Sequence, residues 1–263
     1  MGYEFISLEV QEGLATITFR RPDKLNALSP LMLEEVNGAL ADLDRDDAIK
    51  AVVLTGEGKA FSSGADLTGE RDERFKPGRA LKATPFGGGG QLVTSLYSLR
   101  KPSIAALNGV AAGAGMSVAL ACDIRIASER ARLIPVFSQR ALVPDLGMTY
   151  FLPRMVGIQK ALDICYRGEP IEANEAFALG LVHRVVAADA LMQEVRDYAS
   201  RLTAGASLAI ELTRRGLYRS LESDFRSCLE WEQFAQNIAV RSADFKEAAQ
   251  AFFEKREPHF EGR

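Results

Sequence analysis

Along residues 14–19 the side chains alternate, Ala15, Ile17 and Phe19 against Thr16 and Thr18, the two-residue period of a strand with one buried face. Residues 5–10 read as its partner strand, with Gln11-Glu12-Gly13 as the turn between them. The period then changes. Ser29 before Pro30 is a helix start, serine as N-cap and proline at the first helical position, and Leu31, Val36, Leu40 and Leu43 follow at helical spacing. Residues 50–55 (KAVVLT) predict a buried strand ending at Gly56-Glu57-Gly58. Further strands are predicted over 103–107, 123–127 and 182–186. Helices are predicted over 91–99, around 150–156, after Gly157, and from 171–172 to Gly180. From Asp189 onward the chain is almost wholly helical, with stripes such as Leu191/Val195/Tyr198/Leu202 and Leu229/Phe234/Ile238.

Strands alternating with helices predict an α/β fold, and a helical last quarter predicts an appendage whose apolar stripes need a partner. We divide the chain into a core over 1–200 and a helical assembly region over 201–263. Residues 68–90 fit neither period: charges crowd 70–76, Pro77-Gly78 follows, and four glycines close the stretch at 87–90. A long loop of this kind is expected to be a lid or a surface excursion.

Composition narrows the function. Apolar content of 47%, charged content of 25% and net charge -3 are ordinary for a globular protein and give nucleic acid no basic surface. The first residues lack signal-peptide order, and no run of about 18 apolar residues predicts a membrane span. Cys122, Cys165 and Cys228 stand far apart, as reduced thiols of a cytoplasmic protein do. With His183 and His259 the only histidines, no metal site is expected.

Two stretches of small residues carry candidate chemistry. Residues 108–123 (NGVAAGAGMSVALACD) form a strand-to-helix turn with almost no bulk, and residues 60–67 (AFSSGADL) are a second such stretch directly after a strand. Turns stripped this way can aim backbone N–H groups at one oxygen and stabilise a developing oxyanion. Equally, small residues let a helix pack tightly on a sheet. Phosphate-loop and dinucleotide readings fail on spacing: Ala60 follows the lysine of GEGK, and Val118 stands where a third dinucleotide glycine belongs.

The motifs RPDKLNAL (21–28), GKAFSSGADL, KPSIAALNGVAAGAG, ALACDIRIAS, LVPDLG, the Ala176-to-Val182 run and AFFEKR together resemble the crotonase, or enoyl-CoA hydratase/isomerase, superfamily over essentially the whole chain. The resemblance implies a spiral of ββα units with a helical C-terminal region that trimerises, often as a dimer of trimers. It implies acyl-CoA thioester substrates, with coenzyme A as part of the substrate and no cofactor or metal. The amides of Ala65 and Ala114 match the oxyanion donors. The family more often has glycine at the second place, but alanine keeps the N–H. Ser63 matches a contact to the adenine amino group, Lys24 and Lys255 match contacts to CoA phosphates, and Phe252 matches an aromatic beside CoA at a subunit contact. Asp66, Leu67, Phe137 and Leu142 complete the expected substrate-binding set.

The resemblance departs from the hydratase pattern at the acids. Ser117 and Phe137 occupy the two positions where hydratases carry glutamates, and neither can serve as a general base. Asp145, in VPDLG, stands where some members keep a working aspartate, and LVPDLGMTYFLPRMVG looks most like the epoxyphenylacetyl-CoA isomerases. The expected activity is therefore a double-bond shift with Asp145 as acid and base. Against it stand a hydratase whose acid lies elsewhere, in Glu70, Asp72 or Glu73, and an acyl-CoA-binding protein without catalysis. An Asp after proline is also an ordinary helix N-cap. Asp66 reads as a helix cap, Asp123 as a strand start, Ser117 and His183 as structural, and Tyr150 as a residue within reach of the pocket.

Overall fold

The computed structural model describes residues 2–66 and 87–262. Glu12 and Gly13 take positive φ (50° and 78°) and reverse the chain, so that β1 (Ile6–Gln11) pairs antiparallel with β2 (Leu14–Phe19). Ser29 Oγ accepts the Met32 amide at 3.3 Å and Pro30 opens α1 (Pro30–Arg45), whose face of Met32, Val36, Leu40 and Leu43 is buried.

From there the chain winds as a spiral, each turn giving one strand to each of two sheets. β3 (Ala51–Gly56) enters the larger sheet and β4 (Ala60–Ser62) the smaller. After α2 (Gly87–Ser98), β5 (Ser103–Leu107) and β6 (Val110–Ala112) repeat the step and lead into α3 (Ala114–Ala121). β7 (Ile124–Ser128) and β8 (Arg132–Ile134) repeat it again, and β9 (Ile171–Glu172) and β10 (Arg184–Val186) finish the two sheets. The larger sheet runs β1-β2-β3-β5-β7-β10 and the smaller β4-β6-β8-β9. Past β2 the larger sheet is parallel throughout, and β3 is buried along its whole length, which is why its sequence is a continuous apolar run.

Between β8 and β10 lie α4 (Met148–Val156), α5 (Ile158–Arg167) and α6 (Ala173–Ala178). The chain then ends in α7 (Leu191–Thr203), α8 (Ser207–Ser220), α9 (Phe225–Ala239) and α10 (Ala243–Glu254). Arg214 of α8 is buried and joins this region to the core. Its guanidinium donates to Asp123 at 2.8 Å and to the carbonyls of Leu96, Tyr97 and Leu99 at the end of α2.

Two expectations are corrected. The glycines at 87–90 are the first turn of α2, not the close of a loop; α2 packs on α1, and Asn37 Nδ2 donates to the Gly88 carbonyl at 3.1 Å. Tertiary contact outweighs glycine's poor helix propensity there. Residues 171–172 pair with β8 as a strand, so the following helix begins at Ala173. Among the described residues no helix is long and apolar enough to cross a membrane.

Candidate active site

The site begins in the loop after β2. Leu25 and Asn26 are both left-handed (φ 50° and 56°), a conformation asparagine tolerates better than most residues. Asn26 is fully buried; its Oδ1 accepts the Arg21 amide at 2.9 Å, and its Nδ2 donates to the carbonyls of Glu57 and Ala60 at 2.9 and 2.7 Å. This knits the loop to β4. Leu28 then bridges Ala65 in parallel: its amide donates to Gly64 at 2.8 Å and its carbonyl accepts the Asp66 amide at 3.2 Å. Successive amides of an extended chain point to opposite sides. The Ala65 N–H therefore faces away from Leu28.

The second small-residue turn meets this one. Gly113 (φ 50°) caps α3 and gives its own amide to Ile134 at 2.9 Å, which leaves Ala114 at the first helical position, where an N–H has no partner within the helix. A Cβ added to Gly64 (φ 98°) would come within 2.7 Å of the Ala112 oxygen and 3.3 Å of the Ala114 nitrogen. One added to Gly115 would come within 2.5 Å of the Ser62 oxygen. Glycine is needed at both places because backbone touches backbone. The small residues thus serve close packing, and the packing brings two turns together whose Ala65 and Ala114 amides donate to no other described residue.

Both alanines line a cleft of about 440 Å³. Lys24, Ser63, Asp66, Phe137, Leu142 and Asp145 from the expected set line it too. Ser63 Oγ donates to the Lys24 carbonyl at 3.2 Å, so these two sit side by side. Phe137 is buried, whereas Leu142 is exposed at the mouth. Phe252 and Lys255 do not line the cleft; Phe252 is 79% exposed near the end of α10, and Lys255 ends that helix in a left-handed turn. Leu67, and with it Glu70, Asp72 and Glu73, lies outside the described residues.

The carboxylates differ in surroundings. Asp66 forms an ion pair with Arg21 at 2.9 Å, both side chains mostly buried. Asp145 lies at the cleft mouth, open to solvent on one side. Burial of the remainder raises its pKa above the usual carboxylate range, partly offset by a bond from its own backbone amide. It is not the helix cap that its place after proline suggests. Gly147 (φ 80°) caps α4, and it is the Asp145 carbonyl, not the carboxylate, that accepts the Met148 amide at 3.0 Å. Ser117 is fully buried with its hydroxyl on the Gly113 carbonyl at 3.3 Å, as its structural reading expects.

Outside the cleft, Asp123 accepts bonds from the Ser103 amide, Arg214 and the Tyr218 hydroxyl (2.6 Å). His183 stacks edge-on with Tyr198, and Tyr150 bonds Tyr97 and Glu222 rather than lining the cleft. Sequence reasoning missed Arg140, a cation on the cleft wall at the end of a single turn (Ser138–Arg140). No motif marks it. Among the described residues no group of three or more His, Cys, Asp or Glu side chains is placed to hold a metal.

Comparison with known proteins extends the geometry. The family described as enoyl-CoA hydratase/isomerase matches residues 9–263. A Rhodobacter capsulatus protein named "Probable enoyl-CoA hydratase" is 39% identical over 263 residues, covering both chains fully. The 1,2-epoxyphenylacetyl-CoA isomerase of Escherichia coli K12 is 34% identical over 260 residues, 99% of each chain. The crystal structure of enoyl-CoA hydratase from Bacillus anthracis superposes with a TM-score of 0.89 at 31% identity, covering 99% of this chain and all of the other. Sequence and fold agree from end to end, and the chain belongs to the enoyl-CoA hydratase/isomerase family of acyl-CoA enzymes.

Proposed function

We propose that the protein shifts a carbon–carbon double bond in an acyl-CoA thioester, with Asp145 as the single acid and base. Asp145 takes the α-proton of a 3-enoyl thioester, and the electron pair moves into the carbonyl as a dienolate. The Ala65 and Ala114 amides hold the negative oxygen, and the proton returns at the γ-carbon to give the 2-enoyl product. One observation carries this reading: Asp145 shares a cleft with two amides that no described residue takes up, and the other aspartate of the cleft is engaged by Arg21. A carboxyl held above its usual range is a better base once ionised.

Lys24 and Ser63 are assigned to the nucleotide end of CoA, and Asp66, Phe137 and Leu142 to the wall around the thioester and acyl group; Leu67, outside the described residues, is assigned to substrate binding by the family resemblance alone. Phe252 and Lys255 are exposed and away from this cleft, so their assigned role is to meet CoA across a subunit contact in a trimer or dimer of trimers. No cofactor beyond the CoA of the substrate is needed.

The hydratase names borne by several relatives favour a second reading, syn-addition of water to a 2-enoyl thioester. That reaction needs a water to be activated as well as a carbon protonated, and Ser117 and Phe137 supply neither group. The test is spectroscopic. A 3-enoyl-CoA should gain the absorbance of a conjugated thioester, and Asp145→Asn should abolish the gain while CoA binding persists. Loss of absorbance from a 2-enoyl-CoA, unaffected by Asp145→Asn, would replace isomerisation with hydration.

A further inference from the structure

Among the described residues no side chain pairs with Asp145 to explain its placement. Its segment is instead bounded by unusual backbone: Ala141 and Leu146 are left-handed without being glycine (φ 55° and 47°), and Gly147 follows at 80°. A leucine in that conformation is a strained residue that only its surroundings can hold in place. Those surroundings are one face of α2. A Cβ added to Gly89 would stand 3.0 and 3.3 Å from the Leu146 Cδ atoms, so Gly89 is the hollow in which the leucine tip rests. One helical turn on, Val93 Cγ1 lies 3.3 Å from where a Gly147 Cβ would be. One turn further, the Tyr97 hydroxyl bonds that of Tyr150 at 3.3 Å, with the rings edge-on 5.9 Å apart. Residues four apart on a helix share a face. Gly89, Val93 and Tyr97 therefore form one stripe, and it meets in order Leu146 and Gly147, which immediately follow Asp145, and then Tyr150 in the first turn of α4.

We propose that this stripe of α2 is the rail that positions Asp145, with Leu146 as the positioning residue seated at Gly89. The inference rests on the isomerase reading for what Asp145 does, but not for where it is held. It also gives Gly89 a purpose: a branched side chain there would push the leucine out of its seat.

The seat is tested by changing strain and contact in opposite directions. Leu146→Gly accepts the left-handed backbone without strain but empties the seat; Gly89→Val fills the seat from the other side; Leu146→Met keeps a seated apolar tip. With a 3-enoyl-CoA, Leu146→Gly and Gly89→Val should each lose tenfold or more in kcat with KM changed less than threefold, and should move the acid limb of the kcat–pH profile. Leu146→Met should retain kcat within threefold. Leu146→Gly should keep the parental circular dichroism and a single cooperative thermal transition, even with a lower midpoint from the lost packing, which separates loss of positioning from loss of fold. Crystal structures provide the arm that needs no turnover: in Leu146→Gly the segment 142–146 should leave its position by an ångström or more, or become disordered. Superposition of that segment on the parent would overturn the rail, and so would parental kcat in Leu146→Gly where Asp145→Asn is inactive. Parental turnover in Asp145→Asn with a displaced segment in Leu146→Gly would instead overturn the role given to Asp145 and leave the rail standing.

Discussion

Replacing Ala114 with proline removes one N–H from the cleft and almost nothing else. Ala114 is the first residue of α3, where an N–H has no bond within the helix to lose and where proline's fixed φ already suits the chain. The neighbouring bonds, Gly113 N–H to Ile134 and Ser117 N–H to Gly113, involve other atoms and should persist. Losing one oxyanion donor costs roughly 10²–10³ in rate, about 2.7–4 kcal/mol of barrier. Since the proline Cδ also occupies the place of the lost hydrogen, that range is a lower bound on the fall in kcat/KM. The assay follows the rise of 2-enoyl absorbance from a 3-enoyl-CoA, with circular dichroism and a thermal scan to show that α3 is intact. Folded Ala114→Pro protein with kcat/KM within threefold of the parent would refute the claim that this amide holds the developing oxyanion.

Two further outcomes follow from the same structure. Arg214→Met takes the guanidinium away from the mostly buried Asp123 carboxylate and from three carbonyls at the end of α2, and breaking a buried pair of this kind costs about 3–5 kcal/mol. At roughly 2–4 °C per kcal/mol for a chain of this size, the thermal midpoint should fall by about 6–20 °C, and a fall under about 2 °C would refute the bridging role. Asp145 gives a pH signature of definite sign. Its native pKa is raised, so the folded state binds the proton more tightly than the unfolded chain, and stability falls as pH climbs through the window above the ordinary value of 3.8. Asp145→Asn should therefore match the parent below that window and be the more stable above it, while parental isomerisation should rise with pH through the same window as the base form appears; denaturant titrations and initial rates across the range check both.

What the sequence disclosed was local or periodic. The cap at Ser29 bonds an amide three residues away, the alternation in β2 reports a sheet with one face buried, and Gly64 and Gly115 announce close backbone contact by lacking side chains. The expectation that small-residue turns meet was legible for the same reason. What stayed hidden depends on distant partners. Asp66 reads as a cap until Arg21, 45 residues earlier, is folded against it. The glycines at 87–90 read as a loop because nothing nearby reveals that α1 and Leu146 lie on either side. Arg214 and Asp123 are 91 residues apart, and Asp123 alone reads only as a strand start. Asp145 lay between these cases: the motif located it, but the left-handed turn that frees its carboxylate from capping is visible only in the backbone.

The central claim is that a thioester oxygen is held between the amides of Ala65 and Ala114 with Asp145 over the acyl carbons. A crystal structure with a non-reacting acyl-CoA measures this directly. The account predicts a carbonyl oxygen about 2.7–3.1 Å from both nitrogens and the Asp145 carboxylate facing the α- and γ-carbons. A thioester oxygen bonded elsewhere, or an Asp145 turned away from the acyl chain, would contradict it.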